Sequence, residues 1–217
     1  MENKKLAQPD PELQARVTYH HGSLRASLIA AADDILRERG VEGFTLREAA
    51  RRAGVSVAAP AHHFGSAAGL LSEVAILGFA ELARYLQEAA GETSGAARMR
   101  ALGMGYVRFA LAYPGRFHLM FRHDLLLADE ARLENAGQAA LVEVERAVRL
   151  HQGLAADEPI DRAAHAVMLM AWSTVHGFAH LALDGKFKRM KFNPGAGDAL
   201  DEILSDVLRA QWPDPAD

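Results

Sequence analysis

The residues Thr45–Phe64, TLREAARRAGVSVAAPAHHF, hold two short stretches of helical spacing joined by Ala53-Gly54-Val55-Ser56. Two such helices on so short a connection read as a helix-turn-helix, with an ordinary helical hairpin of an all-α domain as the alternative. Thr45 is placed to cap the first helix, and Glu48, three residues on, to reach back and complete a capping box. Leu46, Ala49, Ala50 and Ala53 recur on one face, and the alanines leave room for a second helix to cross closely. Gly54 suits a left-handed turn, and Ser56 then caps a second helix from Val57 to about His63. Pro60 becomes its fourth residue, at the cost of the bond to the Ser56 carbonyl. In motifs of this kind the second helix enters the major groove by its N-terminal end. Val57, Ala58, Ala61 and His62 are the base-reading candidates. Valine and alanine meet thymine methyls, and the histidine donates to a purine edge.

The rest of the chain reads as helix throughout, with no strand alternation and no internal repeat. A helix runs to about Arg39 and is closed by Gly40. Downstream, Gly69 to about Glu88 is periodic, with Leu70, Leu71, Val74, Leu77 and Leu82 on its buried side. Ala96–Tyr113 follows a polar break at Gly91–Gly95 and is ended by Pro114-Gly115, with Met99, Leu102, Tyr106 and Ala110 on one face. Then come a short helix from Phe117 to about Leu127, an amphipathic one from Arg132 to about Leu150, an apolar one over Asp157–Leu183, and a last from about Asp198 to Ala210. Residues 163–183 carry no formal charge and are long enough to span a bilayer. His165, Ser173, Thr174, His176 and His180 make that segment too polar for a span, while Ala163, Ala164, Ala166, Ala171 and Gly177 suit close helix contacts in a soluble bundle.

Composition narrows the function. With 217 residues the chain can bury a real core, and with no Cys it has neither disulfides nor thiolate metal sites, which fits a reducing, cytoplasmic interior. Met1–Val17 is polar and lacks an apolar run, so it reads as a mobile tail rather than a secretory signal. The net charge of −4 is uneven: residues 1–66 hold nine basic against eight acidic groups, and the remainder fifteen against twenty. A balance of +1 is weak for a nucleic-acid surface, so charge alone does not point to one, although dimerisation would double it.

Beyond the helix-turn-helix, Tyr19-His20-His21-Gly22-Ser23-Leu24-Arg25, the helix ending at Gly40, and His63-Phe64-Gly65-Ser66 leading into Gly69-Leu70-Leu71 together resemble the N-terminal domain of the tetracycline-repressor (TetR) family. Ala171-Trp172-Ser173-Thr174-Val175-His176-Gly177-Phe178 is similar to the Trp-His-Gly (WHG) signature of one class of TetR ligand-binding domains. The resemblance implies an all-α protein: residues 1–18 a tail, 19–82 a three-helix DNA-binding domain, and 83–212 a helical-bundle domain for ligand binding and dimerisation. It implies a homodimer on a palindromic double-stranded DNA operator, a repressor released by a small-molecule effector, with the last two long helices forming the dimer interface. DNA contacts then fall to Thr45, Arg47, Ser56, Val57, Ala58, Ala61, His62, His63 and Arg25, with Arg51 and Arg52 nearby as phosphate candidates or solvated surface.

Two departures from the family pattern weigh against tight operator binding. Ala61 stands where the family usually has a backbone-contacting Tyr, and Ala67 where a phosphate-directed Lys is common. They motivate a second reading, a small-molecule or metal-binding, even catalytic, protein on the same scaffold with weakened DNA binding. The histidines near the DNA face (His20, His21, His62 and His63) lead to the expectation that operator affinity rises as pH falls below about 6.5.

Aromatic and methionine side chains of the C-terminal part, Met104, Phe109, Phe117, Met120, Phe121, Met168, Trp172 and His176, are the candidate ligand pocket, though such residues more often fill a core. Trp172 and His176 lie four apart on one helix face, and each brings a polar atom that must find a partner. A largely apolar ligand with one or two hydrogen-bonding groups follows. His176 and His180, with His118, His123 or His165 as a third donor, form a weak alternative metal site, lacking Cys and any His-Glu-x-x-His pattern. No nucleophile triad, phosphate loop or carboxylate pair stands out, so no catalytic residue, cofactor or metal is assigned and the chain is read as no enzyme.

Overall fold

A computed structural model describes residues 11–155, 157–187 and 198–214, with side chains placed for 24–155, 157–187 and 200–214. Among these residues there are nine α-helices and no strand: α1 Pro11–Arg39, α2 Leu46–Arg52, α3 Ala59–Phe64, α4 Ala67–Ala90, α5 Gly95–Ala112, α6 Pro114–Met120, α7 Ala131–Gln152, α8 Arg162–Leu183 and α9 Asp198–Gln211. The all-α expectation holds. Helix α1 begins at Pro11, so residues 11–17 are helical where the sequence suggested a tail; residues 1–10 lie outside the described part.

Local chemistry explains most boundaries. Thr45 Oγ1 accepts from the Glu48 backbone N–H at 3.2 Å and starts α2. The other half of the expected capping box does not form, because the Glu48 carboxylate is held by Arg51 at 2.7 Å and Arg52 at 3.0 Å instead. Gly54, at φ +69°, ends α2: its N–H donates to the Arg51 carbonyl and that of Val55 to the Ala50 carbonyl, the paired bonds of a Schellman turn. The next helix departs from expectation. Residues 57–58 form a turn, the Ala59 N–H donates to the Ser56 carbonyl at 3.0 Å, and α3 starts at Ala59 with Ala58 rather than Ser56 at its cap. Pro60 is therefore the second helical residue, where a backbone N–H has no intrahelical partner, and it costs no bond.

Ser66 caps α4 by accepting from the Gly69 N–H at 3.1 Å. A Cβ on Gly69 would lie 2.0 Å from the Phe64 carbonyl oxygen, so only glycine lets α4 start this close to the end of α3. Helix α5 ends at Ala112, just before Pro114 as expected, and Pro114 also opens α6, whose first turn its fixed φ suits; α6 stops at Met120 rather than near Leu127. The apolar helix starts at Arg162 and not at Asp157, because the Asp161 carboxylate accepts from the Ala164 N–H at 2.7 Å.

Helix α4 is the spine. It packs against α1 and α3 near its start and against α5, α6 and α7 beyond, while α5 also meets α8 and α9. Its buried stripe turns around the axis between these two sets of partners. Leu70, Leu71, Val74 and Leu82 are buried, whereas Leu77, expected beside them, falls off the stripe and is exposed. Helix α8 is the one described helix long and apolar enough, by length and composition, to cross a membrane. It buries Ala164, Val175, Phe178 and Ala179 on one face and leaves Leu169, Met170 and Leu181 exposed elsewhere.

Candidate nucleic-acid interface and ligand cavity

The helix-turn-helix presents most of its nominated residues to solvent. Thr45, Arg47, Ser56, Val57, Ala58, Ala61 and His62 are exposed, and Val57, at 63 % exposure, is the most exposed large apolar side chain among the described residues. Pro60 is buried beneath them, and His63 is half-buried with its ring edge-on to that of His62. The side chains of His20 and His21 lie outside the described residues.

The arginines separate by partner. Arg25 is paired to Glu73 on α4 at 2.6 Å, and its guanidinium lies 5.1 Å over the Phe64 ring, so it staples α1 to α3 and α4. Arg51 is bound by Glu48, and Arg52 lies between Glu48 and Glu38. The hydrogen bonds from Arg51 and Arg52 hold the Glu48 carboxyl down at about 2. Arg47 is exposed and, among the described residues, makes no ion pair. Of the helix-turn-helix arginines it alone has an uncommitted guanidinium, a distinction that spacing along α2 does not reveal.

The C-terminal helices enclose a cavity of about 420 Å³, within the range of small-molecule sites. Four of the eight nominated residues line it: Met120, Phe121, Met168 and Trp172. Phe109, Phe117, Met104 and His176 do not. Phe109 is fully buried against Tyr85 and Tyr113. Phe117 is equally buried and fills the layer behind the wall, touching Tyr106, Phe121, His176 and His180. Met104 is half-buried against the core.

The partner that Trp172 and His176 need is Tyr106 of α5, which sequence reasoning left among the core positions. Trp172 Nε1 donates to Tyr106 Oη at 3.3 Å, and Oη lies 2.8 Å from His176 Nδ1. Tyr106 lines the cavity; His176 stands one layer behind it. The place of Tyr106 on the Met99, Leu102 face of α5, a hydroxyl in an otherwise apolar stripe, was the available signal. Burial raises the Tyr106 pKa, partly opposed by the Trp172 hydrogen bond, and the phenol stays protonated. Burial, and then the neighbouring His180, lowers the His176 pKa; the same two causes act on His118.

No Lys, Arg, Asp or Glu lines the cavity. Among the described residues no group of three His, Asp or Glu side chains is arranged to hold a metal ion. His118 is stacked on His180, and His165 Nδ1 is bound to the Asp161 carbonyl at 2.8 Å, so neither completes a set with His176 and His180.

The two regions share elements. Helix α4 abuts α3 at Gly69 and lines the cavity with Phe79, Leu82 and Leu86. Helix α6 ends in the cavity wall at Met120, and its Arg116 Nε donates to Asp33 of α1 at 2.8 Å. A Cβ on Gly115 would sit 2.6 Å from the Leu36 carbonyl oxygen, so α6 lies directly on the end of α1.

Comparisons with known proteins agree with this architecture. Residues 28–74 match the family model described as bacterial regulatory proteins, tetR family, and residues 99–207 match that of the tetracyclin repressor-like C-terminal domain. A protein of unknown function from Rhodococcus sp. RHA1 is 36 % identical, with 89 % of this chain and 96 % of that one covered and a TM-score of 0.71. The TetR family transcriptional regulator PfmR from Thermus thermophilus shares the fold at 19 % identity, 88 % and 99 % coverage and a TM-score of 0.53. SCO3833, a TetR family member from Streptomyces coelicolor A3, does so at 20 % identity, 88 % and 91 % coverage and 0.51. No curated protein sequence matches the chain. With an exposed helix-turn-helix at one end, a helical domain built around a cavity at the other, and both halves matched by the family's own models, the chain belongs to the TetR family of DNA-binding transcriptional regulators.

Proposed function

We propose that this regulator is a repressor that acts in the cytoplasm as a homodimer, holds a palindromic operator, and releases it when a small, largely apolar effector fills the cavity. The observation that carries the reading is the sharing of α4: one helix abuts α3 at its first turn and walls the cavity about three to five turns later. A rigid helix that touches both sites converts a change at one into a change in the spacing of two recognition helices. The Trp172-Ser173-Thr174-Val175-His176-Gly177 run supports placing the C-terminal domain in the Trp-His-Gly class. Residues 19–82 and 83–212 serve as DNA-binding domain and effector domain, and of the preceding segment residues 11–18 form the start of α1. Val57, Ala58, Ala61 and His62 read bases; Thr45, Arg47, Ser56 and His63 flank them toward the backbone; Arg25 acts by holding α3 in place.

The exposed face of α8 supports the dimer. Met170 and Leu181 are uncovered in one chain, and Gly177, within the helix and on the same face, has nothing within 4 Å of where a Cβ would be. A glycine inside a helix costs about 1 kcal/mol relative to alanine, and close approach of a second α8 gives that cost a purpose. The test is retention of DNA taken from beside the protein's own gene in a gel-shift assay. Specific retention by the intact protein and its loss on adding effector support the proposal. No retention at low salt favours the alternative of a small-molecule-binding protein on this scaffold that no longer needs DNA.

A further inference from the structure

The proposal that follows deepens the reading of the cavity as an effector site and rests on it. The chemistry of the wall is restrictive. The lining is aliphatic, aromatic and thioether, with no side chain of fixed charge. A charged ligand would lose its water and find no counter-charge, a penalty that contacts with Leu and Met side chains do not offset. The two histidines of the lining, His123 and His165, are exposed, and His165 is already bonded to the Asp161 carbonyl.

Two residues with a polar atom stand in the buried part of the lining, Tyr106, 6 % exposed, and Trp212, 4 % exposed; the Trp212 indole N–H only donates, whereas the Tyr106 hydroxyl both donates and accepts. A phenol oxygen offers one donated and two accepted hydrogen bonds. Trp172 Nε1 uses one accepting position, and His176 Nδ1, at 2.8 Å, uses a second bond whose direction depends on the imidazole tautomer. With Nδ1 accepting, the oxygen keeps one lone pair for a ligand donor. With Nδ1 protonated, the O–H turns free for a ligand acceptor. The neutral imidazole takes either form, so a single place remains on the oxygen, and it suits a hydroxyl or a carbonyl. Around it stand Phe79, Phe121 and Trp172, whose faces and edges suit a ring.

We propose that the cavity selects an uncharged, ring-containing, largely apolar molecule carrying one hydroxyl or carbonyl group, and that Tyr106 is the residue that reads that group. The Trp172–Tyr106–His176 chain acts as the selecting device: Trp172 and His176 orient the phenol, and Tyr106 touches the ligand.

Three ring compounds of one shape separate the terms of the proposal: 2-naphthol, naphthalene and 2-naphthoate, titrated calorimetrically into the full-length protein at about pH 7.5, where the first two are neutral and the third is an anion. The expected order is 2-naphthol tighter than naphthalene by about fivefold, the worth of one net hydrogen bond, and 2-naphthoate weaker than 2-naphthol by about a hundredfold, the worth of a buried unpaired charge. In Tyr106→Phe the preference for 2-naphthol over naphthalene should vanish while naphthalene affinity persists, which also reports that the cavity is intact. If Tyr106→Phe does not fold, the ranking on the unaltered protein decides alone. Binding of 2-naphthoate as tight as that of 2-naphthol, or an unchanged preference in Tyr106→Phe, overturns the ligand class and leaves the effector cavity standing. Failure of all three compounds to bind at millimolar concentration overturns the effector reading as well.

Discussion

At the scale of single residues, charge pairing decides which basic groups are free to meet DNA. Arg47, Arg51 and Arg52 share one short helix, and Glu48 and Glu38 occupy the last two while Arg47, among the described residues, has no ion pair. On the proposed function, Arg47→Ala weakens binding to every sequence alike and lowers the slope of log affinity against log salt by about 0.9. His62→Ala instead relaxes preference at one base pair, where a side-chain contact is worth about 1–3 kcal/mol. Selection from random DNA checks both: an unchanged preferred site for His62→Ala contradicts its base-reading role, and an unchanged salt slope contradicts a phosphate role for Arg47.

A second prediction at this scale concerns pH. Burial holds the pKa of His118 and His176 below the ordinary 6.5, so the folded chain keeps them neutral where the unfolded chain takes up protons. Their contribution to stability is complete above about 6.5 and is lost as pH falls through the depressed folded values. The urea midpoint should therefore drop between about pH 6.5 and pH 5, above the range in which carboxylates titrate, and part of that drop should disappear in a His118→Gln, His176→Gln double variant. A midpoint that is flat over this window contradicts the assignment.

At the scale of elements, the tightest joints lie where two helices meet backbone to backbone. Gly69→Ala places a methyl 2.0 Å from the Phe64 carbonyl oxygen and must push α3 from α4, costing at least about 2 kcal/mol in thermal or urea unfolding. Pro60→Ala, one element earlier, restores an N–H that α3 does not use and should change stability by less than about 1 kcal/mol. A second element prediction concerns α6, which ends in the cavity wall and is tied to α1 through Arg116 and Asp33. Arg116→Ala should leave effector affinity within about twofold yet weaken effector-driven release of DNA, because the link from wall to α1 is cut. Comparing effector binding by calorimetry with release by gel shift separates the two, and a parallel loss of both would place Arg116 in binding rather than in coupling.

At the scale of the whole molecule, the exposed face of α8 carries the prediction. Met170→Glu puts a charge at the centre of the surface proposed to meet a second copy. It should give a folded monomer by sedimentation, with helical content unchanged and operator affinity reduced more than about a hundredfold, since two half-sites are no longer read together. A dimer that survives this change would move the interface elsewhere.

What adjacent residues could determine, they did. The cap at Thr45, the left-handed turn at Gly54, the cap at Ser66 and the helical period of every later segment are set by groups a few residues apart, so the fold class and the helix-turn-helix were legible from the chain alone. The start of α3 was not, because Pro60 and the packing beneath it, rather than Ser56, choose where the helix begins. The cavity was legible only in part. Its wall comes from six helices, and whether an aromatic side chain faces the void, as Phe121 does, or the core behind it, as Phe117 does, depends on how far each helix is rotated against its neighbours. That rotation is decided by packing between residues distant in sequence, as is the meeting of Tyr106 with Trp172 and His176 from another helix, and no local pattern encodes it.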